Sequence, residues 1–303
     1  WFTVYRILLP IRRLSQAASE ISTHLADGRQ GSMILSRLQL QGRRDEIGEL
    51  CSNYMEMLQV TEEQFQKIRE DKDRILTLWS SRQEFYNNVT HQLKTPLTSA
   101  TVLLDNLSEN MDMDHTTRQR FLAEATRQLT GMSWLVTTVL KLSKLDAGMV
   151  ELERAWISGK ALVEDVVRRL EIAAEWRGIS FSLDFPEQVS LFVDRKWTEE
   201  ALLNIVKNAI EHSTDGGIVE ISGEENEVYV QIAVRDHGEG MTREEQRKLF
   251  QRFYQGNSAR EDSMGIGLSL AKEILEKQNG YITVDSYREG GTVFILRFLH
   301  RNA

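Results

Sequence analysis

The chain has 303 residues, 41% hydrophobic and 27% charged, with a formal net charge of −8; this is the make-up of a globular protein of two or more domains and not of a disordered chain. The acidic balance argues against a nucleic-acid partner, because phosphate contacts need a basic face. The single Cys51 rules out an intramolecular disulfide, and three prolines, Pro10, Pro96 and Pro186, leave room for long helices.

The chain opens on Trp-Phe-Thr-Val-Tyr-Arg-Ile-Leu-Leu-Pro10, ten residues that include Arg6. Crossing a bilayer takes about 20 apolar residues. Trp1 and Tyr5, followed by Arg6, Arg12 and Arg13, fit the cytoplasmic end of a transmembrane helix whose upper part is absent from this chain; an ordinary apolar helix start is the alternative. The expected place is the cell membrane, with this portion cytoplasmic.

Ile11, Leu14, Ala18, Ile21 and Leu25 form a heptad seam, Asp27-Gly-Arg-Gln-Gly31 breaks it, and Met33, Leu35, Leu38 and Leu40 give an apolar connector. Asp45-Glu-Ile-Gly-Glu-Leu50 restarts the helix, with Ile47, Leu50, Tyr54 and Met57 again at heptad spacing. Helix, connector and helix over residues 11–58 resemble the HAMP signal-relay module, with a plain coiled-coil stalk as the alternative. A connecting coiled coil follows over 59–81, its seam running Thr61, Phe65, Ile68, Lys72, Ile75 and Trp79. The steps from 57 to 61 to 65 are a stutter that locally unwinds such a coil; it is either a transmitter or a packing irregularity.

Next comes Phe85-Tyr-Asn-Asn-Val-Thr-His-Gln-Leu-Lys-Thr-Pro-Leu-Thr98. Phe85, Val89, Leu93 and Leu97 make an apolar stripe, extended by Ala100, Leu104 and Leu107, and His91 points away from it into solvent. Pro96 deprives the carbonyl of Gln92 of its usual donor and should bend the helix. A lone exposed histidine is more often surface decoration than chemistry. The whole string, however, resembles the phospho-acceptor motif of two-component sensor histidine kinases, His-Glu-Leu-Lys-Thr-Pro-Leu, at six of seven positions, Gln92 being the exception. A turn at Glu109–Asp114 leads to a second helix with the stripe Phe121, Ala125, Leu129, Met132, Val136, Val139, closed at Leu145-Asp-Ala-Gly148 by glycine. Two helices cannot bury both stripes alone, so a homodimer forming a four-helix bundle is expected over 82–150. The Leu-Asp-Ala-Gly ending resembles that of the kinases' dimerisation and phosphotransfer domain.

Residues 151–303 alternate helix and strand: helices at 160–176, 198–212 and 266–278, strands at 179–185, 190–193, 218–222, 227–234, 282–286 and 292–299. That order suggests an α/β sandwich, one mixed sheet with helices on a single face. No P-loop and no full dinucleotide fingerprint occurs. In the helix at 198–212, Leu202, Ile205, Val206 and Ala209 form the buried stripe, and Asn204, Asn208 and Glu211 take the opposite face. Amide oxygens there suit a hard cation already neutralised by phosphates, although two Asn on a helix face are commonly just solvated. Asp236-His-Gly-Glu-Gly240 places a carboxylate at a strand end, able to accept from an exocyclic amine, with Gly238 and Gly240 free to let backbone approach a ligand. Phe250-Gln-Arg252-Phe253 offers two aromatics and a cation for a lid, Gly265-Ile-Gly267-Leu268 opens a helix whose amides suit phosphate, and Gly291-Thr292 precedes the last strand.

Together and in this order these motifs resemble the boxes of the histidine-kinase ATP-binding domain, whose fold is shared with the gyrase-like and MutL-like ATPases. The resemblance implies ATP and Mg²⁺ as ligands, Asn208 on the metal, Asp236 on adenine, and Gly265 and Gly267 on the phosphates. It implies an ATP-dependent protein-histidine kinase that autophosphorylates on His91 and passes the group to an aspartate of a response regulator. Thr95, four residues after the acceptor, would help dephosphorylate that regulator. The chain departs from the pattern at Gln92, at Glu211 where many relatives carry a phosphate-contacting Lys that either Lys207 or the lid would replace, and at Ser263-Met264. A hydrolysing clamp of the gyrase kind would need a glutamate where Asn204 stands.

Overall fold

The computed structural model describes residues 46–110, 112–256, 264–288 and 290–300, besides five isolated positions before residue 17. The expected membrane-helix end and the first helix and connector of the 11–58 module lie outside the described residues, apart from those isolated positions. The chain divides into two compact units, Trp1–Tyr86 and Asn87–Ala303. Among the described residues no helix is long and apolar enough to cross a membrane.

The first unit contributes the start of helix α1, Glu46–Glu109, which begins where the Asp45-Glu-Ile-Gly restart was expected. Phe65, Ile68, Ile75 and Trp79 of its seam are exposed in the single chain.

In the second unit α1 continues through Pro96 and pairs with α2, His115–Asp146, as a helical hairpin. Asp114 caps α2 by accepting from the Thr117 amide at 2.9 Å. At the other end Gly148, at φ 65°, closes the helix, its amide reaching Leu145 O at 3.1 Å while Met149 N reaches Lys144 O at 3.0 Å. Within the single chain α2 buries Ala125 of the expected stripe and, on a second apolar side, Leu135, Thr138, Leu142 and Leu145, while Leu129 and Val136 are exposed. The lower half of α2 turns its apolar side toward the following α/β layer, where the three leucines join the main core.

That layer runs β1 (Arg154–Ser158), α3 (Gly159–Glu175), β2 (Ser180–Asp184), β3 (Ser190–Asp194), α4 (Arg195–His212), β4 (Ile218–Glu225), β5 (Tyr229–Asp236), α5 (Arg243–Lys248), α6 (Gly267–Lys277), β6 (Gly280–Ser286) and β7 (Thr292–Leu299). Five strands form one mixed sheet in the order β2-β4-β5-β7-β6, with only the β2–β4 pair parallel. Every second residue of β5 and β7 is buried, Val230, Ile232 and Val234 facing the same layer as Phe294, Leu296 and Phe298, as period-two alternation requires. Helices α3, α4 and α6 pack on one another and onto the sheet. The expected α/β sandwich is present. A separate two-stranded sheet, β1 against β3, and the short α5 were not expected.

Helices α4 and α6 are tied together by a buried polar link. Gln278 Oε1 accepts from Asp194 N at 2.6 Å, and its amide donates to Thr198 Oγ1 at 3.1 Å. Below it Leu270 and Leu202 are almost wholly shielded. Leu270→Ala should therefore cost about 3 kcal/mol, read as a lower denaturant midpoint of the α/β unfolding transition with an unchanged slope.

Candidate functional site

Helix α4 positions its polar face because the opposite face is spent on the core: Ala201, Leu202, Ile205, Val206, Ala209 and Ile210 are buried. Asn204, Lys207, Asn208 and Glu211 consequently line a cleft of about 1450 Å³. The Asn204 amide donates to Glu200 O at 2.8 Å, which leaves its oxygen facing the start of α6; a Cβ on Gly267 would lie 2.7 Å from that oxygen. Gly265, Gly267 and Leu268 border the same cleft, as do Gly240 and Thr292.

The opposite wall comes from the hairpin. His91, Gln92 and Thr95 on α1 and Trp134 on α2 line the same cleft as the residues of α4. His91 is exposed, as its position off the apolar stripe requires, while Pro96 beside it is buried. Thr95 Oγ1 donates to His91 O at 3.3 Å. Ion pairs link the walls: Lys141 of α2 meets Glu200 of α4 at 2.7 Å. The Lys207 ammonium lies 5.4 Å from the centre of the Trp134 ring and 3.6 Å from Glu211. Lys207 is thus shared between an aromatic face and a carboxylate.

Asp236 lies beneath the cleft and not on its wall. Its Oδ1 accepts from Gly238 N at 3.0 Å and Thr292 N at 3.2 Å, whereas Oδ2 is buried with no partner. Burial pushes its carboxyl pKa up, against the opposing pull of those two amide hydrogen bonds. An unpaired buried acceptor costs free energy unless a donor arrives. Gly238 and Gly240 have a packing reason to be glycine as well. A Cβ at Gly238 would collide with the His212 carbonyl oxygen, and one at Gly240 with that of Tyr287. Their absent side chains let the loop pack backbone to backbone, which holds Asp236 in place.

The remaining expected residues sit off the cleft. Phe250 and Phe253 pack against the core, with Phe253 in the left-handed region at φ 63°, a strained state for a bulky residue. Its amide donates to Gly265 O at 2.8 Å, so the strain fixes the turn that opens α6. Arg252 makes a two-pronged pair with Asp146 at 2.7 and 2.8 Å and reaches Glu273 at 3.1 Å. It clamps the end of α2 to α6. Cleft residues not singled out from sequence include Trp134, Arg127, Arg177 and Glu245. For Glu245 a signal existed: Thr242 and Glu245 form a capping box, with hydrogen bonds of 3.2 and 2.9 Å.

Comparison with known proteins fits this geometry. Residues 81–148 match the His Kinase A (phospho-acceptor) domain and residues 193–302 the histidine kinase-, DNA gyrase B- and HSP90-like ATPase family. The heme sensor protein HssS of Staphylococcus saprophyticus is 30% identical over 298 residues, and that of Staphylococcus aureus strain MSSA476 is 29% identical over 294. These cover 98% and 97% of this chain but 58% of each relative, so the chain spans little more than half their length. Among solved structures, histidine kinase ThkA in complex with response regulator protein TrrA is 25% identical with a TM-score of 0.62, covering 77% of this chain and 66% of that one. Histidine kinase AdeS of Acinetobacter baumannii shares the fold, at 23% identity and a TM-score of 0.59 over 70% of this chain and 98% of that one. A phospho-acceptor hairpin that carries His91 and is followed directly by a gyrase-like ATPase layer places the chain in the sensor histidine kinase family.

Proposed function

We propose that this chain is an ATP-dependent protein-histidine kinase, in which Nε2 of His91 attacks the γ-phosphorus of MgATP, ADP leaves, and the phosphoryl group then passes to an aspartate of a separate response regulator. The single observation that carries the reading is the shared cleft: His91, Gln92 and Thr95 line it together with Asn204, Asn208 and the Gly265–Leu268 turn. The reaction needs mainly positioning and charge neutralisation. The orphaned Oδ2 of Asp236 fits the exocyclic amine of adenine, and the amide oxygens of Asn208 and Asn204 fit Mg²⁺. The metal supplies neutralisation of phosphate charge, and Asn208 is its principal protein ligand. Gly265, Gly267 and Thr292 flank the nucleotide, and Phe250, Arg252 and Phe253 anchor the segment that leads into the Gly265 turn. ThkA is seen with a response regulator, which supports the same class of partner here.

The domain reading is residues 82–150 for dimerisation and phosphotransfer and 151–303 for ATP binding, preceded by a relay module and coiled coil that follow a membrane anchor. A homodimer is favoured by apolar side chains left exposed on both hairpin helices, among them Leu97, Leu104, Leu129 and Val136. Purified protein incubated with γ-labelled ATP and Mg²⁺ should acquire acid-labile, base-stable label, as a phosphoramidate does. Acid-stable label, or none, refutes the kinase reading.

Gln92 tunes the rate. Its side-chain oxygen can accept a hydrogen bond from imidazole Nδ1 and so fix the tautomer with a bare Nε2, but it brings no negative charge to the ring. Positioned acid–base groups contribute on the order of 10²-fold or more, and a neutral mimic forfeits part of that. Gln92→Glu should raise the single-turnover labelling rate by roughly tenfold. A variant no faster than the parent means that docking of the two walls limits the reaction.

A further inference from the structure

Glu211 follows Asn208 by one helical turn on the face of α4 that lines the cleft. Its side chain is about one-third exposed, and its cationic neighbour Lys207 stands 3.6 Å away, beyond good hydrogen-bond range. Lys207 is drawn aside over the Trp134 ring. The other cations on the cleft wall are engaged: Arg127 on Glu124 at 2.7 Å, and Arg177 on Asp215 at 2.6 Å. Glu245 is occupied in its capping box. Among the described residues the wall thus offers a triphosphate little free positive charge, and it sets a carboxylate on the same cleft-lining side of α4 as Asn204 and Asn208. Mg²⁺ is characteristically held by one or two carboxylates together with substrate phosphates, keeping several of its waters.

We propose that Glu211 is a second protein ligand of the nucleotide-bound Mg²⁺, holding it with Asn208 either directly or through one of the metal's own waters. The inference rests on the reading of Asn208 as a metal ligand. It makes nucleotide binding favour the metal complex: Glu211 repels bare ATP and attracts MgATP. Simple repulsion, the competing account, gives the opposite sign for MgATP, because removing the charge would then tighten it.

The test is calorimetric titration of the full chain with a non-hydrolysable ATP analogue, in excess Mg²⁺ and in excess chelator, for the parent, Glu211→Gln and Asn208→Ala. Mn²⁺ affinity of each analogue complex, read by electron paramagnetic resonance, is the second readout. Glu211→Gln should lose about tenfold in affinity with Mg²⁺, gain affinity in chelator, and bind Mn²⁺ about tenfold more weakly. Affinity for the Mg²⁺ complex that is unchanged or higher in Glu211→Gln, with Asn208→Ala still impaired, overturns the role of Glu211 alone. Metal-independent binding by the parent, or no binding, overturns the reading of Asn208 or of the whole cleft, and the present inference with it.

Discussion

His91→Ala should reduce labelling by γ-labelled ATP to background while nucleotide affinity and the unfolding midpoint stay where they are. The imidazole is exposed and lies off the buried side of α1, where Pro96 and Ala100 are shielded. Truncating an exposed side chain away from any cap or core contact changes stability by no more than about 0.5 kcal/mol. The proposed nucleotide contacts lie on α4, the Asp236 loop and the start of α6, none of which uses His91 for its own placement. The proposed chemistry, by contrast, goes with the imidazole, and the neighbouring Thr95 hydroxyl is tied back to the His91 carbonyl. Label that survives in the variant locates the acceptor elsewhere. A variant that loses label together with ATP affinity shows that the histidine holds the cleft open and is not the nucleophile.

The sequence carried the α/β layer well where side chains alternate strictly. The last strand was expected at 292–299 and lies at Thr292–Leu299, because alternating apolar residues face a single helix layer. Helix α4 begins three residues before its expected start, since the cap is Asp194, whose carboxylate accepts from Trp197 N at 3.1 Å. Strand β1 was illegible: Arg154–Ser158 is short, leaves Trp156 exposed and pairs only with β3. Only one of the two apolar sides of α2 was read from the sequence. Leu129, Val136 and Leu135, Leu142 belong to two apolar faces of one helix, and periodicity cannot say which face meets which neighbour. In the site, residue types were legible but reasons were not. Gly238 and Gly240 are needed for backbone against backbone, and Arg252 is a clamp between α2 and α6; both facts depend on partners distant in the chain.

Asn208→Ala should weaken Mg²⁺-dependent ATP binding by about 100-fold, since even groups outside a metal's immediate ligands are worth 10–100-fold in affinity. The fold should survive. Asn208 is half-buried at the cleft edge of α4, beside the buried face that carries Ile205 and Ala209, and alanine is the best helix former. The loss should be confined to the metal complex, because Asp236, the expected reader of the base, lies in a separate loop anchored through Gly238 and Thr292. Adenosine or ADP in chelator should therefore bind the variant as it binds the parent. Titration with ATP at fixed excess Mg²⁺, then in chelator, separates these terms. Equal weakening in both conditions assigns Asn208 to the shape of the cleft, and unchanged MgATP affinity places the metal on other groups.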